Sequence, residues 1–390
     1  MIERDITPTA LSLWKRYPVL TITGPRQSGK TTLARTIFPE AEYVNLEAPD
    51  LREEARSDAR GFLARHPAPL VLDEIQNVPE LLSYIQVDVD NAGRNSRYVL
   101  TGSHQPALSA ALSQSLAGRT GLLQLLPLSL RELRAAGISR TRDEWLFEGF
   151  LPRLRADEPA PSPVDLFRDY CQTYVERDVR QILSLRRLGA FETFLRLLAG
   201  RVGQLFNADS LAGDVGVSPV TVREWLSVLE TCYIVFPLRP YYRNFGKRFV
   251  KSPKIYFTEP GLAAHLLGIR NPAQAAAHPL VGNLFENLVV CEALKARLNA
   301  GLLPDLWFMR TSNGVEADLV AENGLGLDLF EIKSAATYHP DMGASLAKLA
   351  RLLPDVGRRG VVYAGRDASC ADGTEVLSYE TAAARFLPAE

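Results

Sequence analysis

The chain has 390 residues, 46% of them hydrophobic and 23% charged, with a formal net charge of −1. That length allows two to four domains, and the balance is that of a soluble globular protein in which any basic surface must be local. The five His lack metal-ligand spacing and the four Cys (Cys171, Cys232, Cys291, Cys370) are far apart, which argues for reduced thiols rather than disulfides or zinc. No apolar run reaches the length of a membrane span and the opening residues do not read as a signal peptide, so a cytoplasmic protein without membrane contact is expected.

In the first 135 residues, strand and helix patterns alternate. Strands are expected at Val19–Thr23, Glu42–Leu46, Leu70–Asp73, Arg97–Thr101 and Leu122–Leu126. Helices are expected near Lys30–Ile37, Asp50–Arg65, Pro79–Ala92 and Gln105–Ser115. Such alternation predicts an α/β fold with a parallel sheet covered on both faces and a ligand site beyond the strands' carboxyl ends. The first strand runs into Gly24-Pro25-Arg26-Gln27-Ser28-Gly29-Lys30-Thr31-Thr32, which fits the phosphate-loop pattern. Loop N–H groups and a helix N-terminus then face an anion. Lys30 is expected to reach the β- and γ-phosphates of ATP, and Thr31 to ligate Mg²⁺. The third strand delivers Asp73, expected on Mg²⁺ directly or through water, and Glu74, expected to polarise the attacking water. The fourth strand ends in Thr101-Gly102-Ser103, where either hydroxyl is a candidate γ-phosphate sensor. Arg119, after a Gly turn, is a candidate arginine finger for a neighbouring subunit.

These features, with Val44-Asn45-Leu46-Glu47, Leu72-Asp73-Glu74-Ile75-Gln76 and Ser115-Leu116-Ala117-Gly118-Arg119, resemble prokaryotic AAA+-type P-loop ATPases whose C-terminal region is a domain of unknown function. The resemblance spans nearly the whole chain and implies ATP and Mg²⁺ as ligands.

Residues 136–190 read as a polar helical lid, broken by Pro159-Ala160-Pro161-Ser162-Pro163. Tyr170, Tyr174 and Ile182 share one helical face there, and Arg177 or Arg180 is a candidate phosphate contact. Residues 191–275 read as a winged helix. Ala208 to Leu226 patterns as helix, Gly-containing turn and second helix, with Ser218 as N-cap and Pro219 at the first helical position. Val222, Leu226 and Leu229 form the expected buried stripe, leaving Thr221, Arg223 and Glu224 outward for a DNA groove. Arg239 to Lys254 then carries six cations and no acid (Arg239, Arg243, Lys247, Arg248, Lys251, Lys254). Tyr241, Tyr242, Phe245 and Phe249 are interleaved, so the stretch reads as a DNA-binding wing.

Residues 276–390 open with a helix from Leu284 to about Leu298, followed by strand patterns at Trp307–Met309, Val315–Val320 and Leu327–Lys333. The last two form an expected hairpin. Glu331 and Lys333, two apart, share a strand face, where Asp318 can meet them and Glu286 can arrive from the helix. Two carboxylates and a Lys suit metal-assisted phosphodiester cleavage. The set resembles the Asp…Glu-x-Lys nucleases of restriction-endonuclease-like fold, and Glu316 is a rival ligand. The parts together (1–135, 136–190, 191–275, 276–390) imply a Mg²⁺-dependent ATPase acting on DNA as a ring-like homo-oligomer, a hexamer among the options. Core, lid and winged helix in series also resemble the motor that migrates Holliday junctions. Two alternatives remain at this point: an ATP-controlled DNA clamp without cleavage, and a signalling ATPase whose winged helix docks protein.

Overall fold

The computed structural model describes residues 2–103, 106–156, 159–175, 188–241, 251–324, 326–353, 355–369 and 373–387. Two compact units emerge: one of residues 1–128 with 231–233 and 298–301, the other of the remaining described chain.

The first unit is built on five parallel strands, β1 (Val19–Thr23), β2 (Glu42–Asn45), β3 (Leu70–Asp73), β4 (Tyr98–Gly102) and β5 (Thr120–Gln124), in the order β2-β3-β4-β1-β5. Strand alternation divides its core into two faces. Val19, Leu70, Leu72, Tyr98 and Leu100 pack on one side. Leu20, Ile22, Val71, Val99 and Leu123 pack on the other. Both sets are apolar because helices cover both faces, which is why these strands read as continuous hydrophobic runs. The helices are α1 (Thr7–Arg16), α2 (Lys30–Ile37), α3 (Pro49–Ser57), α4 (Ala59–Arg65), α5 (Leu81–Ala92) and α6 (Pro106–Ser115). The single helix expected over 50–65 is two. Asp58 takes a non-helical conformation and its side chain accepts from Gly61 N, so it caps α4 instead of continuing α3. The fifth strand starts two residues before its expected position and leaves Leu122 exposed.

The second unit holds α7 (Leu130–Ala135), α8 (Arg142–Glu148) and α9 (Pro163–Tyr170), each started by a Ser or Thr N-cap. The described part of the expected lid segment therefore belongs to this unit. Arg177, Arg180 and Ile182 lie outside the described residues, as does the side chain of Tyr174. After α10 (Leu188–Ala199), α11 (Ala208–Val215) ends at Gly216 with φ +77°, and α12 (Pro219–Thr231) follows. Ser218 Oγ accepts from Thr221 N at 3.1 Å, the expected cap. Val222, Leu226 and Leu229 are buried, and Arg223 and Glu224 are exposed.

An eight-stranded sheet organises the rest: β6 (Val235–Pro240), β7 (Lys254–Phe257), β8 (Leu306–Arg310), β9 (Glu316–Asn323), β10 (Gly326–Lys333), β11 (Val356–Tyr363), β12 (Ala368–Ser369) and β13 (Glu375–Ser378). The order is β12-β13-β11-β10-β9-β8-β6-β7. The expected hairpin forms with Asn323 opposite Gly326. The junction expected at 275/276 lies in a helix between β7 and β8, so strands from both sides of it share the sheet. β6 pairs antiparallel with β7 on one edge and parallel with β8 on the other, through Arg239↔Trp307 and Pro240↔Phe308. Helices α13 (Pro260–Leu266), α14 (Pro272–Ala277), α15 (Val281–Asn299) and α16 (Ala344–Leu352) complete the unit.

Candidate functional site

The phosphate loop leaves the carboxyl end of β1. Gly24 has φ +149°, and a Cβ there would stand 2.1 Å from Leu125 O, so only glycine fits. Gln27, at φ +61°, is a non-glycine in the left-handed region. The buried Ser28 Oγ and Gln27 Oε1 have no hydrogen-bond partner. Gly29, at φ +91°, turns the chain into α2. Lys30 opens that helix. Its Nζ donates to Gly24 O at 3.1 Å and Pro25 O at 2.8 Å, folded back over its own loop. Pro25 is buried, Arg26 is partly buried and Thr32 is exposed. Arg4, which no sequence pattern marks, braces the loop from outside. Its guanidinium donates to Ser28 O at 2.8 Å and Leu126 O at 2.7 Å.

Asp73 ends β3, with β4 lying between it and β1. Three hydroxyls converge on its carboxylate: Thr31 at 2.8 Å, Tyr43 at 2.7 Å, and Thr101. A carboxylate at the sheet's carboxyl edge, touching the first-turn Thr of the phosphate loop, fits a Mg²⁺–nucleotide pair. Thr31 and Asp73 are the residues that would hold the ion. Tyr43 also belongs to this set, and the β2 alternation gave no sign of it. Thr101, of the two hydroxyls considered, is committed to Asp73. Ser103 is instead joined to Glu74 through Gln76, whose Nε2 donates to Ser103 Oγ at 3.2 Å and to Glu74 Oε2. Glu74 itself sits at φ +57°, a costly conformation for a residue with a Cβ. Burial raises its carboxyl above the usual range, against the attraction of Lys30 and the Gln76 hydrogen bond. Gln76 Oε1 is buried without a partner.

Arg119 precedes β5 at the opposite strand end, where Val19 N donates to its carbonyl at 3.2 Å. Its guanidinium grips both carboxylate oxygens of Asp90 at 2.6 and 2.8 Å. Within one chain it is therefore remote from the phosphate loop.

In the second unit, Glu286 on α15, Glu316 and Asp318 on β9, and Glu331 and Lys333 on β10 gather as the pattern implied. At their centre stands Lys254 of β7, which pattern reading had counted only among the basic stretch. Its Nζ lies 2.7 Å from Glu286, 2.5 Å from Glu316 and 3.6 Å from Asp318. Lys333 pairs with Glu331. Burial is the main cause raising the Glu286 and Glu331 carboxyls, with Asp318 adding to it. Among the described residues no group of three or more His, Cys, Asp or Glu is arranged to hold a metal ion. The donor set does not fit the metal expected between Asp318 and Glu331, because Asp318 is engaged by Lys254 and by Ile332 N at 2.8 Å. Lys254 had one signal: with Tyr256 it faces one side of an otherwise apolar strand.

Of the expected DNA contacts, Arg223 is exposed on α12 with Asp209 at 4.0 Å, Thr221 is half-buried beside its cap, and Lys251 is exposed. Arg243, Lys247 and Arg248, with Tyr242, Phe245 and Phe249, lie outside the described residues. Among the described residues no helix is long and apolar enough to cross a membrane.

Residues 16–134 match a family model described as AAA domain, so the first unit is the core of an AAA-type P-loop ATPase. Residues 139–273 and 281–381 match two models described as domains of unknown function, DUF8612 and DUF4143. Two relatives, Mb2031c of Mycobacterium bovis and Rv2008c of Mycobacterium tuberculosis, are each 33% identical over 366 residues, covering 93% of this chain and 80% of theirs. The chain belongs to the family of these mycobacterial proteins. A Haemophilus influenzae protein is 25% identical over 306 residues, covering 70% of this chain and 74% of its own. Among solved structures, the Walker-type ATPase PABY2304 of Pyrococcus abyssi matches with TM-score 0.41 and 15% identity, over 68% of this chain and 96% of that one. AMPPCP-bound DnaA from Aquifex aeolicus matches with TM-score 0.30 and 13% identity, over 58% and 86%.

Proposed function

We propose that the protein is a Mg²⁺-dependent ATPase that acts on DNA as a ring-like homo-oligomer. The observation that carries the ATPase reading is the convergence of Lys30, Thr31, Asp73 and Glu74 at one edge of the sheet. Lys30 exchanges its two loop carbonyls for the β- and γ-phosphates, while the loop N–H groups and the start of α2 hold the anion. Bound with ATP, Mg²⁺ supplies charge neutralisation at those phosphates. Glu74 takes the proton of the attacking water. Gln76 fixes Glu74 relative to Ser103, which places a hydroxyl beside the γ-phosphate. Arg119 completes a neighbour's site after releasing Asp90.

The DNA reading rests on the capped α11–α12 pair, which exposes Arg223, and on the five cations Arg239, Arg243, Lys247, Arg248 and Lys251 close together in a chain of net charge −1. Branched DNA is one candidate form, because core, lid and helix-turn-helix occur in series. In this reading the C-terminal unit grips DNA and does not cut it, since Lys254 stands at the centre of the acid cluster. ATP turnover measured with single-stranded, duplex, forked and four-way DNA, beside gel shifts of the same panel, tests the proposal. Stimulation and binding by any of these forms are expected. Turnover that ignores every DNA, with no shifted band, would leave a signalling ATPase whose helix-turn-helix docks protein.

A further inference from the structure

Lys254 begins β7 with its ammonium turned inward, and 4% of its side chain is exposed. Its Nζ donates to Glu286 Oε1 at 2.7 Å. Tyr256, on the same strand face, donates its hydroxyl to that same oxygen at 2.5 Å. Glu316 Oε1 lies 2.5 Å from Nζ, angled as an ion pair rather than as a hydrogen bond. Asp318 Oδ1 is 3.6 Å away. The Phe308 ring, centred 5.5 Å from Nζ, closes another side.

A divalent ion would need these oxygens at roughly 2.0–2.6 Å and would have to take the volume that the ammonium fills. Charge balance does not call for one. Glu286, Glu316, Asp318 and Glu331 bring four negative charges. Lys254, Lys333 and Arg310, which is 3.3 Å from Glu316, bring three positive ones. Side chains alone thus bring the cluster within one charge of balance.

We propose that Lys254 is the resident cation of this cluster. It takes the position of a divalent metal, so the C-terminal unit binds no metal there and cleaves no phosphodiester. Removing its charge opens a divalent-cation site among Glu286, Glu316 and Asp318. The proposal stands apart from the ATPase reading, because its test uses nucleotide-free protein.

The experiment is a Mn²⁺ titration followed by electron paramagnetic resonance on the full chain, as wild type, Asp318→Asn, Lys254→Met and the double variant. Asn keeps the acceptor for Ile332 N, and any Mn²⁺ at the phosphate loop is common to all four. Wild type and Asp318→Asn are expected to bind equal numbers of Mn²⁺. Lys254→Met is expected to bind one more, lost again in the double variant. A wild-type Mn²⁺ site that vanishes in Asp318→Asn overturns the proposal, as does folded Lys254→Met that gains none. Should Lys254→Met not fold, wild-type crystals soaked in Mn²⁺ decide. An anomalous peak between Glu286 and Asp318 overturns the proposal, and Nζ retained there without a peak supports it.

Discussion

Arg4→Ala isolates a residue that touches no phosphate yet should govern how the phosphate loop is held. The Arg4 guanidinium is nearly buried and donates to Ser28 O at 2.8 Å and Leu126 O at 2.7 Å. A hydrogen bond from a charged donor is worth about 1.5–3 kcal/mol net, so two lost together cost roughly 3–6 kcal/mol. At about 2–4 °C per kcal/mol for a unit of this size, a drop in Tm on the order of 10 °C is expected. If about 1.4 kcal/mol of the loss falls on ordering the loop around nucleotide, the KM for ATP rises tenfold. Turnover at saturating ATP should survive, because Arg4 acts through the loop. Arg4→Lys should fall between, since one ammonium cannot span the carbonyls of residues 28 and 126. The assays are thermal unfolding and steady-state ATP turnover. Wild-type Tm and KM in Arg4→Ala would refute the bracing role, and a loss of turnover with unchanged KM would place Arg4 in the chemistry.

Lys30→Ala should abolish ATP turnover, and Glu74→Gln should keep nucleotide binding while stalling hydrolysis; wild-type turnover by Glu74→Gln removes that residue from its role. Mixing Arg119→Ala with Lys30→Ala subunits should restore part of the turnover, since an intact Lys30 can then face an intact Arg119, and no rescue in a confirmed mixed oligomer makes Arg119 a surface partner of Asp90. A pH dependence follows from Glu259. It is fully buried, accepts from Phe150 N and Gly261 N, and desolvation lifts its carboxyl from 4.5 to about 7. The folded chain therefore holds a proton there that the unfolded chain releases. Its contribution is full below about pH 4.5 and is lost as pH rises through about 7, a change of roughly 3 kcal/mol. Glu259→Gln keeps an acceptor and should flatten that slope in thermal unfolding from pH 5 to 8, whereas an unchanged slope assigns it elsewhere.

Much of the first unit could be read from local pattern. The phosphate loop joins a buried strand to a helix in one continuous stretch, and α2 runs from Lys30 to Ile37 as its spacing implies. What escaped were features set by distant partners. Tyr43 lies on a short strand whose neighbour carries Asp73, and only the sheet order brings its hydroxyl there. Arg4 reaches residues 24 and 122 positions away, with no periodicity to show it. In the second unit the hairpin bearing Asp318, Glu331 and Lys333 was legible because strand alternation fixes which side chains share a face. The partner strand of β6 was not legible, since an apolar strand between turns does not state what pairs with its second edge.

Two of the buried lysines, Lys30 and Lys254, differ in a way that decides what each site can do. Lys30 is held by the neutral carbonyls of residues 24 and 25, at 3.1 and 2.8 Å. A phosphate oxygen is a stronger acceptor for an ammonium than either carbonyl, and the carbonyls lose little when it leaves. Lys254 is held by carboxylates in a site nearly closed to water, where breaking a buried charge pair costs about 3–5 kcal/mol. An incoming ion would have to meet that cost where Tyr256 already holds one oxygen of Glu286 and Ile332 N one oxygen of Asp318. The same residue type is thus exchangeable in the first unit and fixed in the second. On the proposals made above, ligand chemistry belongs at the phosphate loop, while the acid cluster ties β7, β9 and α15 together as structure.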